Sequence, residues 1–287
     1  MSEDVLKIRI GHSPDPDDAF MFYALTQGII ETPGISYEHM LVDIDTLNHK
    51  AREGSFEVSA VSIHSYPKIS GEYALMNCGA SMGEGYGPIL ISNREMDVEE
   101  AKGHVIAVPG KSTSSYLALV LALGDVEVKE VPFDMIQPGV LKGEFEAGVI
   151  IHEGQLTWAE EGAHMVIDLG IWWNQSTGLP LPLGGNVVRR DLGEEMCRTI
   201  ANDIRNSIEY SLSNPFLALQ DAIKWGRGID EDTNEEFVRM YVNGRTIDYG
   251  KEGRDAVRLF LERGQEVGLV NKDFDTRGMD FIGVDEE

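Results

Sequence analysis

The chain begins with a strand-like alternation, "VLKIRIG" (5–11), and passes at once into a helical pattern, "DDAFMFYALTQGI" (17–29). This succession of short β-branched run and helical stretch recurs, and it constrains the fold more than any other feature. Strands alternating with helices build βαβ units in an α/β protein. "ISYEHMLVD" (35–43) and "FEVSAVS" (56–62) read as further strands around a short helix, "DTLNHKAREG" (45–54). Asp17 or Asp18 is the expected N-cap of the first helix. "PILIS" (88–92) and "HVIAVPG" (104–110) are strands before the helix "STSSYLALVLALG" (112–124). Strands follow at 126–133, 148–151, 164–170 and 185–191. Beyond them the patterns are helical, at 194–212, 214–226, 233–244 and 252–268. Asn214-Pro215 reads there as N-cap plus first-turn proline, and Thr233-x-x-Glu236 as a capping box.

Two α/β sets with a late return strand predict two lobes, 1–93 plus 187–287 forming lobe 1 and 94–186 lobe 2, with crossovers near 88–95 and 185–191. Ligands of open α/β sheets bind beyond the carboxyl ends of strands, so the expected site is a crevice between the lobes. Charge narrows the ligand. The 287 residues include 49 acidic and 24 basic ones, a net charge of -25. Such a surface excludes nucleic acid and anionic membranes as partners and leaves a small-molecule substrate. No apolar run approaches the ~20 residues of a membrane span. The N-terminus lacks the basic and apolar regions of a signal peptide, and Cys78 and Cys197 are too few for a disulfide framework. A cytoplasmic location is expected.

Several segments carry candidate chemistry. "SPDPDDAF" (13–20) follows the first strand, with Ser13 and the helix amides as possible ligand contacts beside the plainer reading of a capped turn. "VPGKSTSSY" (108–116) has the tail of a phosphate-binding loop, but Val105 stands where the pattern needs glycine. What remains is an anion site of amides and hydroxyls, with Ser112, Thr113, Ser114 and Ser115 suited to a carboxylate, or else simple capping. "CGASMGEGYG" (78–87) reads as a loop or hinge. Trp172 and Trp173, in a segment read as a loop (168–186), form an aromatic pair that either walls a flat ligand or docks on the core. His152 directly follows a buried-looking strand in "EAGVIIHEGQLTW" (146–158). Its type suits a base near neutral pH, although a lone histidine there is more often structural. The histidines show no metal-ligand spacing; "HEGQL" has Leu156 where HExxH needs histidine.

"SPDPDDAFMFYAL", "VPGKSTSSYLAL", "EAGVIIHEGQLTW" and "DLGIWWNQSTGLPLPLGGNVVRRDLG" occur in that order. Together they resemble the 1,4-dihydroxy-6-naphthoate synthase family of the futalosine route to menaquinone, over residues 7 to 265. The family often shows Ser-x-Cys-Pro-Asn-Asp at the first segment; here Asp15 and Asp17 replace the cysteine and asparagine, and an ionised Asp17 cannot donate a hydrogen bond. The resemblance implies a type 2 periplasmic-binding-protein-like fold with a helical C-terminal segment. It further implies a lyase acting on cyclic dehypoxanthinyl futalosine without metal or organic cofactor. His152 would be the general base, and Thr113, Ser114 and Ser115 polar contacts to the substrate. The alternatives are a non-enzymatic solute-binding protein of a transporter, allowed by the fold, and the sibling chorismate dehydratase.

Overall fold

The computed structural model describes residues 5–225 and 230–283. The first four residues of the N-terminal reading, and Gly226 at the end of a helix read from the sequence, lie outside them. The strands in chain order are β1 (Leu6–His12), β2 (Ile35–Leu41), β3 (Val58–Ser62), β4 (Tyr73–Met76), β5 (Ser81–Gly83), β6 (Ile89–Ser92), β7 (Ile106–Val108), β8 (Val128–Glu130), β9 (Ala147–Ile150), β10 (His164–Asp168), β11 (Leu181–Arg189) and β12 (Phe281–Ile282). The chain divides into two compact units. Unit 1 comprises Met1–Ser81, Gly184–Lys251 and Arg277–Glu287; unit 2 comprises Met82–Leu183 and Glu252–Thr276. The changes of unit thus fall at Ser81/Met82, Leu183/Gly184, Lys251/Glu252 and Thr276/Arg277. The C-terminal segment is shared between the units, where the sequence placed 187–287 wholly in lobe 1.

Unit 1 is built on a sheet of order β12-β4-β11-β3-β1-β2, with β5 added along β11. β1 runs parallel to β2 and β3, whereas β11 is antiparallel to β3 and β4. β3 and β4 are buried along their whole length, and β1 from Ile10 onward. Ile8, Ile10, Val58, Ala74, Met76 and Val188 from the sheet join Phe20, Met21 and Phe22 of the helix Pro16–Thr26 in one core. Ile200, Ile204 and Ile208, spaced by four along the helix Glu194–Ser213, complete it.

Unit 2 carries a second sheet, β10-β6-β9-β7-β8. β7 is parallel to β8 and β9, and β6 is antiparallel to β9 and β10. Ile89, Ile91, Ala107 and Ile150 meet Ile136 and Val140 of the helix Phe133–Leu141 in its core. Gly148 on β9 allows this approach, since a Cβ there would lie 2.5 Å from the Ile136 side chain. The helix Gly250–Glu266 brings Phe260 edge-on to Trp173, at 5.4 Å between ring centroids.

Local expectations differ from the structure at several points. The N-cap position of the first helix is Asp15, not Asp17 or Asp18, because Pro16 occupies its first turn; the Asp15 side chain makes no capping bond to the helix. Asp230, not Thr233, caps the helix Glu231–Tyr241, its carboxylate accepting from the Thr233 N–H at 3.0 Å. Asn214 precedes the helix Pro215–Ala222 without capping it; its amide donates back to the Tyr210 carbonyl. The tryptophan pair lies on a helix, Leu169–Thr177, rather than in a loop. Asp168 caps that helix, accepting from the Gly170 and Ile171 N–H groups, and Gly178 at φ 74° ends it.

Candidate functional site

β9 is buried along its whole length and ends at Ile150. The chain then turns through Ile151, His152 and Glu153 into a single helical turn, Gly154–Thr157. His152 therefore sits at the carboxyl end of a central strand. Its Nδ1 accepts the Gly154 N–H at 2.9 Å. The next side chain, Glu153, is buried, and its Oε2 lies 3.9 Å from the same Nδ1. Phe133 meets the imidazole edge-on at 5.6 Å between centroids.

From the same helix as Phe133 comes a residue the sequence did not single out. Gln137 is 4% exposed, and a Cβ placed on Gly154 would lie 2.0 Å from its Oε1. The same Cβ would fall 2.7 Å from His152 Cε1. Gly154 is thus glycine for steric reasons: imidazole and carboxamide close over its α-carbon. Residues 152–154 and 137 form a packed polar cluster inside unit 2.

The segment 112–115 belongs to the same unit. Thr113 caps the helix Ser114–Leu123, accepting from the Tyr116 N–H and donating to the Gly110 carbonyl at 2.7 Å. Its Oγ1 lies 2.9 Å from Ser115 Oγ, so the Ser115 hydroxyl donates to it. The Ser114 hydroxyl donates to the Leu183 carbonyl at 2.6 Å. All of Ser112 to Ser115 are buried. Capping and fold-stabilising bonds therefore engage the Thr113, Ser114 and Ser115 hydroxyls, and a carboxylate at this helix start would meet backbone amides as well as side chains.

The two tryptophans separate. Trp173 is 1% exposed and donates its indole N–H to the Pro180 carbonyl at 2.9 Å, with Phe260 against its ring. It is a core residue of unit 2. Trp172, 6.2 Å away between centroids, is the more exposed partner.

Ser13 lies in unit 1, after β1. Its N–H donates to Asp18 at 2.7 Å and its hydroxyl to Asp15. Burial lifts the Asp18 carboxyl well above the usual range, with the charges of Asp17 and Asp15 adding to the effect and the Ser13 N–H opposing it. Beside it is a pair the sequence left unmarked. His12 Nδ1 lies 2.9 Å from the Ser13 carbonyl and so carries a proton, which makes Nε2 the acceptor for His39 Nδ1–H at 3.0 Å. Phe22 stacks on His12 at 4.6 Å. Burial lowers His12 to about 3 and His39 to about 4, so both rings are neutral near pH 7. The signal for His12 was its place at the end of the first strand; the partner was not legible, since it needs the parallel register that sets Ile10 beside His39 and Gly11 beside Met40.

A family model described as menaquinone biosynthesis matches residues 8–266. The chain belongs to this menaquinone biosynthesis family. A "1,4-dihydroxy-6-naphtoate synthase" of Thermus thermophilus is 40% identical over 257 residues, covering 89% of this chain and 93% of that one. A crystal structure of a protein from Archaeoglobus fulgidus superposes with a TM-score of 0.88 at 42% identity, covering 92% of this chain and 98% of the other. The alkanesulfonate-binding protein of Xanthomonas axonopodis pv. citri, bound to MOPS, shares the fold at a TM-score of 0.70 and 10% identity, over 95% and 96% of the two chains. The protein is thus an enzyme of menaquinone biosynthesis on a periplasmic-binding-protein-like fold. Among the described residues, no helix is long and apolar enough to cross a membrane.

Proposed function

We propose that this member of the menaquinone biosynthesis family is a carbon–carbon lyase, converting cyclic dehypoxanthinyl futalosine to 1,4-dihydroxy-6-naphthoate. The observation that carries the reading is the His152 cluster at the carboxyl end of β9, in a chain 40% identical to a protein bearing the synthase name. Opening the spiro-fused ketone requires loss of a proton next to a carbonyl, followed by carbon–carbon cleavage and aromatisation. His152 is the proposed general base, worth about 10²–10⁴ in rate. Aromatisation supplies driving force that the protein need not provide, so the reaction is proposed to run without metal or organic cofactor. The amides and hydroxyls at 112–115 are the proposed site for the aromatic carboxylate, and Trp172 the proposed cover for the ring. Ser13 is proposed as a further contact. The proposed location is the cytoplasm.

The test is mass-spectrometric detection of 1,4-dihydroxy-6-naphthoate from the cyclic substrate. His152→Ala is expected to lose about 10²-fold or more in kcat while still binding product. Turnover within a few-fold of the parent would remove His152 from the mechanism. Product from chorismate, with none from the cyclic futalosine, would make the chain a dehydratase instead. Ligand binding with no turnover of either would make it a solute-binding protein.

A further inference from the structure

Two neighbours compete for one nitrogen of His152, and they demand opposite tautomers. The Gly154 N–H donates to Nδ1 at 2.9 Å. A nitrogen that accepts a hydrogen bond from a backbone amide carries no proton, so the neutral ring holds its proton on Nε2. In that form Nε2, which is itself buried, is a donor and cannot take a proton from carbon. The Glu153 carboxylate, buried and 3.9 Å from the same Nδ1, demands the reverse. Were it to replace Gly154, Nδ1 would carry the proton and donate to the carboxylate, and Nε2 would present a bare lone pair. The helix Phe133–Leu141 brings the Phe133 edge to the ring and the Gln137 amide to Gly154, and neither of these groups titrates. Residues 153 and 154 thus favour opposite tautomers at the same nitrogen.

We infer that Glu153 is a positioning residue for His152. The resting protein holds the Nε2–H tautomer against Gly154, and the base form arises when the ring exchanges the Gly154 N–H for the Glu153 carboxylate. The displacement needed is about an ångström, from 3.9 Å to ordinary hydrogen-bond length. The step then balances. Nε2 takes the proton next to the carbonyl, the C–H electron pair becomes the enolate, and Nδ1–H stays on the Glu153 carboxylate, which offsets the new imidazolium charge. This rests on the proposed reaction for its chemistry, but its first half concerns the protein alone.

The experiment has two arms. In the first, ¹⁵N-histidine-labelled protein without ligand is read by long-range ¹H–¹⁵N correlation, with His152→Gln assigning the signal. A bare Nδ1 with a protonated Nε2 is expected; a protonated Nδ1 overturns the resting tautomer whatever the enzyme does. In the second, Glu153→Gln and Glu153→Asp are compared in kcat, KM and pH profile with the cyclic futalosine. Glu153→Gln is expected to lose about 10²-fold in kcat with KM changed less than threefold, and to shift the acid limb of the profile downward. Glu153→Asp is expected to recover part of the loss. The double variant with His152→Gln should be no slower than His152→Gln alone. A Glu153→Gln enzyme within twofold of the parent, or one that loses rate with an unmoved pH limb, overturns the positioning role. Should no naphthoate form even with the parent protein, the reaction reading fails while the first arm still decides the tautomer.

Discussion

At the scale of single residues, Gly154 and Trp173 set the sharpest expectations. A methyl group at 154 would collide with both the Gln137 carboxamide and the His152 ring. Gly154→Ala is therefore expected to cut kcat more than tenfold, with a small change in melting temperature, because the clash is confined to the cluster; paired activity and thermal-unfolding measurements check this. Trp173→Ala should do the opposite. Removing a ring buried against Phe260 and bonded to Pro180 costs about 3–5 kcal/mol, read by denaturant titration. Trp172→Ala should leave stability within about 1 kcal/mol and raise KM if that ring covers substrate. The two indoles are adjacent in sequence and looked equivalent there. The helix they occupy separates them, turning successive side chains about 100° apart. Glu153 was similarly opaque, since its burial depends on the turn after β9 rather than on its own surroundings in the chain.

At the scale of elements, legibility followed pattern strength. β1, β2 and β3, and the helices at 194 and 250, were readable because alternation or four-residue spacing was unbroken. The helix Phe133–Leu141 was not, because Pro138 and Gly139 interrupt its pattern. With it went Gln137 and Phe133, half of the surroundings of His152. The helix Leu169–Thr177 left two unread signals, Asp168 before it and Gly178 after it. Asp168 is held above the usual carboxylate range by burial, with backbone donors from Ile171, Gly170 and Gly87 working against that. Asp168→Ala should destabilise unit 2 by about 1 kcal/mol through loss of the cap, measurable in urea. Gly170→Ala should cost more, since its Cβ would lie 1.8 Å from the Tyr86 carbonyl oxygen. The glycine-rich stretch 78–87, read as a loop or hinge, holds β5 instead, and its glycines admit close neighbours: Gly79 faces the Asn186 side chain and Gly87 the Gly170 backbone.

At the scale of the whole molecule, titration and charge set stability. His12 titrates at about 3 in the folded state and near 6.5 when unfolded. The unfolded chain thus binds the proton first as pH falls; the contribution is complete above about 6.5 and is lost on the way down to 3. By pH 5 this amounts to about 2 kcal/mol from His12 alone, with His39 acting in the same direction. Asp18, raised in the folded state, works oppositely and gains stability as pH falls through its raised value toward the ordinary carboxylate range. Urea unfolding of the parent and of His39→Gln between pH 7 and 5 should show a shallower decline in the variant. The net charge of -25 adds self-repulsion, so added salt should raise the melting temperature at constant pH. One further consequence follows from the chain's path. Unit 1 takes its last strand, β12, from residues 281–282, where it lines up beside β4, while unit 2 draws on 252–276. A chain emerging from the ribosome therefore completes neither unit before the stretch 252–282 has emerged, and until then the outer edge of β4 stays open to β-strands of other chains.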